Sequence, residues 1–113
     1  MIINMALHQI EFTFNSKEDS KELPLEWSHT GVVGSGDMEV LLRSVDLNGK
    51  VQVKITTPVR GFDEVWEKVL RNIVDGSKLR NVVIEINDNN STPFIVSMRL
   101  KQALVEAFEG GLV

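Results

Sequence analysis

The spacing of the apolar residues changes twice between residues 51 and 87, and this change limits the fold more than any other feature. Val51, Val53 and Ile55 alternate with polar residues, which predicts a half-buried strand that ends at Pro58. The next apolar residues recur at three- and four-residue intervals, as on one stripe of a helix: Phe62, Val65, Trp66, Val69, Leu70 and Ile73. Alternation returns in residues 82–86. The segment therefore predicts a strand, a helix and a strand, with a right-handed crossover if both strands join one sheet.

Both predicted helices have signals at their ends. The first has two acidic residues in its first turn, and we expect Gly76 to end it in the left-handed conformation. The second is expected to have Pro93 in its first turn, after a cap from Ser91 or Thr92, and to end at residues 110–111. Its apolar stripe consists of Val96, Leu100, Ala103, Leu104, Ala107 and Phe108.

Further strands are predicted before this unit. Residues 10–14 alternate with period two, and residues 27–33 and 38–43 have strand patterns on either side of a glycine-rich connection. The dipeptide Asn48-Gly49 favours a type I′ turn. We therefore expect the strands before and after this dipeptide to pair as a hairpin.

These elements predict an α+β fold: a mostly antiparallel sheet of four or five strands with two helices packed on one face. The 113 residues, 42% hydrophobic and 25% charged, are typical of one soluble globular domain. We interpret residues 1–113 as that domain, with residues 1–9 as a flexible N-terminal extension. Met1 and Met5 are alternative translation starts.

Composition argues against several classes of function. The net charge is −4 and no basic stripe is present, which disfavours nucleic-acid binding. The chain has no cysteine, so it offers neither a disulfide nor a thiol of its own to carry an acyl group. The N-terminus lacks the basic region of a signal peptide, and no apolar run is long enough to span a membrane. We therefore expect a cytoplasmic protein.

A serine between two glycines, Gly34-Ser35-Gly36, is the candidate functional motif, and Asp37 follows it directly. The flanking glycines lack Cβ atoms and tolerate positive φ, so the Ser35 hydroxyl could be presented to a modifying enzyme or a ligand. A plain tight turn between two strands would have the same composition. The motif alone does not choose between these interpretations.

Other chemical templates match poorly. A serine hydrolase needs a base and an orienting acid beside Ser35, the only histidines are His8 and His29, and a nucleophile elbow would continue into a helix rather than a strand. The run that starts at Asp88 resembles a calcium loop, yet it lacks the glycine and the final glutamate of that motif. No lysine follows the glycine-rich segment as in a P-loop. We predict neither a metal site nor free nucleotide binding.

Residues 33–42 resemble the modification motif of the malonate decarboxylase acyl carrier protein (delta subunit) family. The resemblance continues through residues 82–88 and into the last helix, at Thr92-Pro93, Val96, Arg99-Leu100 and Gln102. Two positions depart from the family pattern, Asn89 and Asn90, and the part through Trp27 is longer.

The resemblance implies that Ser35 is joined by a phosphodiester to 2'-(5''-phosphoribosyl)-3'-dephospho-CoA. It implies a non-catalytic carrier of acetyl and malonyl thioesters that works with acyltransferase and decarboxylase subunits and with the synthase that installs the group. Gly34 and Gly36 would clear space, and Asp37 would orient the hydroxyl or be recognised by the synthase. Asp37 is alternatively a turn carboxylate that accepts nearby backbone N–H groups. Four matched residues are interpreted first as turn, cap and helix-surface residues: Asp88, Thr92, Pro93 and Arg99.

Three other functions remain open. The carrier subunit of citrate lyase uses the same type of prosthetic group, although the context of Ser35 favours the malonate system. An unmodified interaction or regulatory subunit would keep the mass of the bare chain. A serine hydrolase would react with a fluorophosphonate.

Overall fold

A computed structural model describes residues 7–31 and 34–110. The strands are β1 (His8–Phe14), β2 (Trp27–Gly31), β3 (Asp37–Ser44), β4 (Val51–Thr57) and β5 (Val82–Asn89), and the helices are α1 (Asp63–Ser77) and α2 (Pro93–Gly110). Each of these elements is predicted by the sequence. Of the proposed N-terminal extension, residues 8 and 9 belong to β1, and residues 1–6 lie outside the described residues.

The described strands form one sheet in the order β1-β4-β5-β3-β2. The β4–β5 pair is parallel, and the other pairs are antiparallel. The α+β prediction is therefore confirmed, and so is the joining of β4 and β5 in one sheet around α1. Every second residue of β4 is buried, as the alternation predicted, and both helices cover that face and contact each other.

The predicted hairpin between β3 and β4 is wrong. Asn48 and Gly49 do have the positive φ values of a type I′ turn, 55° and 85°, but β5 lies between the two strands. The turn is held by the residue directly before β5 instead, because the Asn81 side-chain oxygen accepts the Leu47 and Gly49 N–H groups at 3.0 and 2.7 Å. Five of the eight residues of β5 are buried, including the apolar run of residues 82–84, and such a strand is most stable in the middle of a sheet with one face covered by helices.

Two details of the helices also differ from expectation. Gly76 lies within α1, and Lys78 is the residue that ends the helix with φ of 52°. The first two members of the predicted α1 stripe, Phe62 and Val65, are exposed, whereas the later ones pack into the core. The cap of α2 is as predicted: the Ile95 N–H donates to the Thr92 hydroxyl at 3.3 Å.

The strand directions gather several connections at one end of the sheet. The carboxyl ends of β2, β4 and β5 and the amino ends of β1 and β3 lie there, as the pairing registers require. The β2–β3 connection that contains Ser35 therefore shares this end with the start of both helices. We call it the functional end of the sheet.

Candidate functional site

Ser35 occupies a tight turn that leads into β3. The Asp37 N–H donates to the Gly34 carbonyl at 3.1 Å, which closes a four-residue turn around Ser35 and Gly36. The Gly36 N–H donates to the Asn89 carbonyl at 2.7 Å, so β5 holds the turn from the side. Ser35 is exposed, and its neighbours in the turn are tied down. The structure thus presents Ser35 to solvent on a fixed piece of backbone.

The two glycines that flank Ser35 have different structural roles. Gly36 has φ of 74°, and a Cβ atom placed there meets no heavy atom within 4 Å. Its backbone angle, rather than crowding within the chain, therefore calls for glycine. Gly34 is half-buried and supplies the carbonyl that closes the turn. The predicted residues 32 and 33 of the preceding strand lie outside the described residues.

Asp37 and Arg99 form a two-point ion pair directly behind the turn. Arg99 Nη2 donates to Asp37 Oδ2 at 2.6 Å and Arg99 Nε donates to Asp37 Oδ1 at 3.2 Å. Gln102, one turn further along α2, holds the guanidinium by accepting from Nη1 at 2.7 Å. The side chains of Asp37 and Arg99 are only 25% and 17% exposed. Arg99 is therefore not a simple helix-surface residue, as the sequence alone suggests, but a tie between α2 and the start of β3.

Gly31 is a conformationally constrained position beside the site that the sequence did not single out. Its φ is 87°, and a Cβ atom there would lie 2.5 Å from the Met38 carbonyl oxygen and 3.0 Å from two atoms of Arg99. The Arg99 side chain passes over Gly31 on its way to Asp37. A glycine at the end of β2 is thus required for the ion pair.

The Asp37 carboxylate has several partners within the protein. Arg99 lowers the pKa of Asp37, and the Met38 N–H, which donates to Oδ1 at 2.7 Å, lowers it further. Among the described residues, no hydrogen bond joins Ser35 to Asp37. This geometry favours the interpretation of Asp37 as a turn carboxylate that accepts a backbone N–H. It also shows that Arg99 is a second partner of this carboxylate. A role in recognition by the synthase stays a prediction.

The other candidates lie elsewhere. Asp88 is buried at the end of β5 and accepts from the Thr57 hydroxyl at 2.7 Å and from the Ser91 N–H at 3.0 Å. It also contacts the Ser91 hydroxyl, as expected for a turn and capping residue. His8 contacts Asp63 at 3.3 Å and His29 contacts Glu39 at 2.9 Å, so neither histidine is hydrogen-bonded to Ser35.

Two other kinds of site have no candidate in the described part of the chain. No cluster of three or more potential metal-ligating side chains occurs within residues 7–31 and 34–110. Neither α1 nor α2 is long and apolar enough to cross a membrane.

The fold and the site define a class: a small α+β protein that presents one serine hydroxyl on a tied turn. In the described part of the chain, no histidine stands beside that hydroxyl as a general base. A family model described as "Malonate decarboxylase delta subunit (MdcD)" matches residues 26–107. The chain therefore belongs to the malonate decarboxylase delta subunit family, which confirms the resemblance predicted from the sequence.

Individual relatives agree with this assignment. The chain is 52% identical over 101 residues to the malonate decarboxylase acyl carrier protein of Malonomonas rubra, and the match covers 89% of each protein. It is 45% identical over 86 residues to the protein of that name from Xanthomonas euvesicatoria pv. vesicatoria, covering 76% of this chain and 81% of the relative. A chain in the crystal structure of a Pseudomonas malonate decarboxylase hetero-tetramer in complex with malonate has a TM-score of 0.69 and 30% identity, covering 91% of this chain and 99% of that one.

Proposed function

We propose that this protein is the acyl carrier subunit of malonate decarboxylase and that Ser35 is its attachment point for phosphoribosyl-dephospho-CoA. The observation that carries the proposal is the exposed Ser35 on a tied turn in a chain of this family. The chain itself is non-catalytic, and the assembled complex is the enzyme. We place it in the cytoplasm with that complex.

The surroundings of Ser35 suit a bulky covalent group. Ser35 and Gly36 are both exposed, and even a Cβ atom added to Gly36 would meet no heavy atom within 4 Å. The chain has no cysteine, so the thiol needed for a thioester has to come from elsewhere. When bound, the prosthetic group supplies that thiol and carries acetyl and malonyl groups on it.

The residues of this chain hold and present the attachment point. During attachment, the Ser35 oxygen would form the ester bond to the phosphorus of an activated donor, lose its proton, and displace the phosphate leaving group already bonded to that phosphorus. Because no histidine of the described residues is hydrogen-bonded to Ser35, the synthase supplies the base. Afterwards, the bonds of Gly36 to Asn89 and of Asp37 to Arg99 keep the anchor in one orientation. A tethered acyl group then visits its partner sites at high effective concentration.

The partners we propose are the acyltransferase and decarboxylase subunits and the synthase that installs the group. The structural relative that is part of a hetero-tetramer supports an assembly of this kind. It also favours the malonate system over the carrier subunit of citrate lyase, as do the named relatives.

Intact-protein mass spectrometry of material from the native host tests the proposal. We expect the bare chain mass plus one phosphoribosyl-dephospho-CoA, mapped to Ser35. The variant Ser35→Ala should have the bare mass, fold normally because Ser35 is exposed, and abolish malonate turnover in the reconstituted complex. The matched control Ser28→Ala, on β2, should keep the added mass.

Other outcomes would reject the proposal. A bare mass in cells that consume malonate would favour an unmodified regulatory subunit. Labelling of Ser35 by a fluorophosphonate would favour a hydrolase. Turnover of citrate instead of malonate in the reconstituted complex would favour the citrate lyase carrier.

A further inference from the structure

A groove of about 250 Å³ lies at the functional end of the sheet, between the first turns of α1 and α2. Its walls are largely apolar and include Phe62, directly before α1, Val65 and Trp66 from α1, and Val96 from α2. Phe62 and Val65 are 48% and 41% exposed, although they belong to the apolar stripe of α1. The apolar stripe of α1 thus extends beyond the part that the core covers, and the groove is where it emerges.

The rim of this groove is polar and adjoins the Ser35 turn. Asn90 and Ser91 lie on the rim, and Asp88 lies at its base. The Gly36 N–H is bonded to the carbonyl of Asn89, the residue directly before Asn90. The Ser35 turn is therefore bonded to the residue that precedes the polar rim, and a long group attached to Ser35 can extend over this rim toward the apolar walls.

Asp88, at the base of the groove, limits which kind of ligand can bind there. A carboxylate offers about four acceptor positions, and Asp88 uses three of them for Thr57 and Ser91. The remaining position is available to an N–H or O–H donor. Negative charge at the base of the groove repels a phosphate, whereas a flat aromatic base with an exocyclic amino group fits both the rim and the walls.

We propose that this groove binds the adenine nucleoside of the prosthetic group that Ser35 carries, an inference that rests on the proposed function. The nucleoside is bonded closer to Ser35 than the thiol is, so a docked nucleoside leaves the thiol end free to reach partner sites. The groove volume of about 250 Å³ is below the roughly 300–1,000 Å³ of pockets for drug-sized ligands, so it holds one part of the arm and not its whole length. Phe62 would offer the adenine ring a surface to stack on, and Asp88 would accept a hydrogen bond from its amino group.

Fluorescence can report on the groove, because the chain has only two tryptophans and Trp66 lines it. Trp27→Phe removes the other, exposed tryptophan and leaves Trp66 as the reporter. Apo and holo forms of this variant are prepared, and their loading is verified by intact mass. We expect lower Trp66 emission in the holo form. We also expect amide exchange in residues 63–66 to slow by about tenfold if nine tenths of the holo molecules are docked.

Two substitutions separate the groove from a general effect of loading. Phe62→Ala removes the stacking wall at an exposed position and should abolish the difference between holo and apo forms. Phe94→Ala is the matched control, because Phe94 is 73% exposed and does not line the groove. It should leave the difference intact. Circular dichroism and thermal unfolding check that both variants fold.

The outcomes distinguish this inference from the proposed function. Full loading of Ser35 with equal Trp66 emission and equal exchange in both forms overturns the inference and leaves the carrier function standing. A bare mass in the native host overturns both. If deletion of residues 1–6 speeds exchange in residues 63–66 of the apo form, the N-terminal segment fills the groove and the inference is wrong.

Discussion

At the scale of single residues, the glycines around Ser35 are required for different physical reasons. Gly36 needs its positive φ but has open space around its α-carbon, whereas Gly31 needs its positive φ and is also crowded by the Met38 carbonyl oxygen and the Arg99 side chain. The visible motif, a serine between glycines, therefore contains only part of the site. The space required at Gly31 is limited by the backbone of β3 and by a side chain of α2, neither of which belongs to the motif.

Gly31→Ala should be much more destabilising than Gly36→Ala. Forcing a non-glycine residue to positive φ costs about 1–3 kcal/mol, and this is the whole expected cost at Gly36. At Gly31 the new Cβ would also lie 2.5 Å from the Met38 carbonyl oxygen, so β2, β3 or Arg99 must shift. Urea unfolding of both variants measures the difference. Equal losses of stability would contradict the close approach of the Met38 carbonyl and the Arg99 side chain to Gly31.

The Asp37–Arg99 pair predicts a pH dependence of stability. Because Arg99 lowers the pKa of Asp37 in the folded protein, this pair contributes fully above the unfolded-state pKa of about 3.9. Its contribution is lost as the pH falls through the lower, folded-state pKa. Asp37→Asn should therefore cost about 1–2 kcal/mol near neutral pH, and the gap to the wild type should narrow in acid.

A control pair is available on the surface. Asp19 contacts Lys78 at 2.6 Å, but both side chains are at least half exposed. Asp19→Asn should change the unfolding free energy far less than Asp37→Asn, since exposed pairs contribute little. Parallel loss of stability with acid in the wild type and in Asp37→Asn would contradict the ion pair. Unchanged modification of Asp37→Ala by the synthase would separately exclude a recognition role for Asp37.

The sequence identified the local part of this site and missed the distant part. Ser35, Gly36 and Asp37 are consecutive, so their chemistry is visible in the printed order. Arg99 is far along the chain, and its helical spacing alone assigns it to a polar helix face. Only the sheet order, which brings α2 against β2 and β3, turns that surface arginine into a partner of Asp37.

At the scale of elements, periodicity predicted the type of each strand and helix but not every pairing. The Asn48-Gly49 turn has the expected backbone angles, which are a local property. Whether the flanking strands pair depends on what else competes for their edges. The largely buried β5 takes the place between β3 and β4, and Asn81, the residue directly before β5, accepts two N–H groups of the turn.

Gly76→Ala tests the end of α1. If Gly76 were the left-handed cap, an added Cβ would destabilise the helix. In the structure Gly76 is helical, and a Cβ there meets nothing within 4 Å. Replacing an interior helical glycine by alanine should stabilise the protein by about 0.5–1 kcal/mol. Thermal and urea unfolding measure the change, and a loss of stability would place the end of the helix at Gly76 after all.

At the scale of the whole molecule, the sheet order decides which parts open first. β5 is bonded to strands on both sides and is buried along most of its length, whereas β1 and β2 form the edges. At the functional end, the Asn89 carbonyl of this central strand accepts the Gly36 N–H and so holds the turn that contains Ser35. A stable centre can hold the anchor while the edges fluctuate.

Native-state hydrogen exchange should rank the strands accordingly. Amides of Ile84 and Ile86 in β5 should exchange only through global unfolding, because each bonds to β3 or β4, and both of these strands are themselves held between two others. Amides of β2 that bond to β3 need only the edge to open, so they should exchange at least about a hundredfold faster, equivalent to about 2.7 kcal/mol. The edge strand β1 is the internal control and should behave like β2. If β3 and β4 instead formed the hairpin expected from Asn48-Gly49, β5 would lie outside that pair, and residues 84 and 86 would lose their protection relative to the edges.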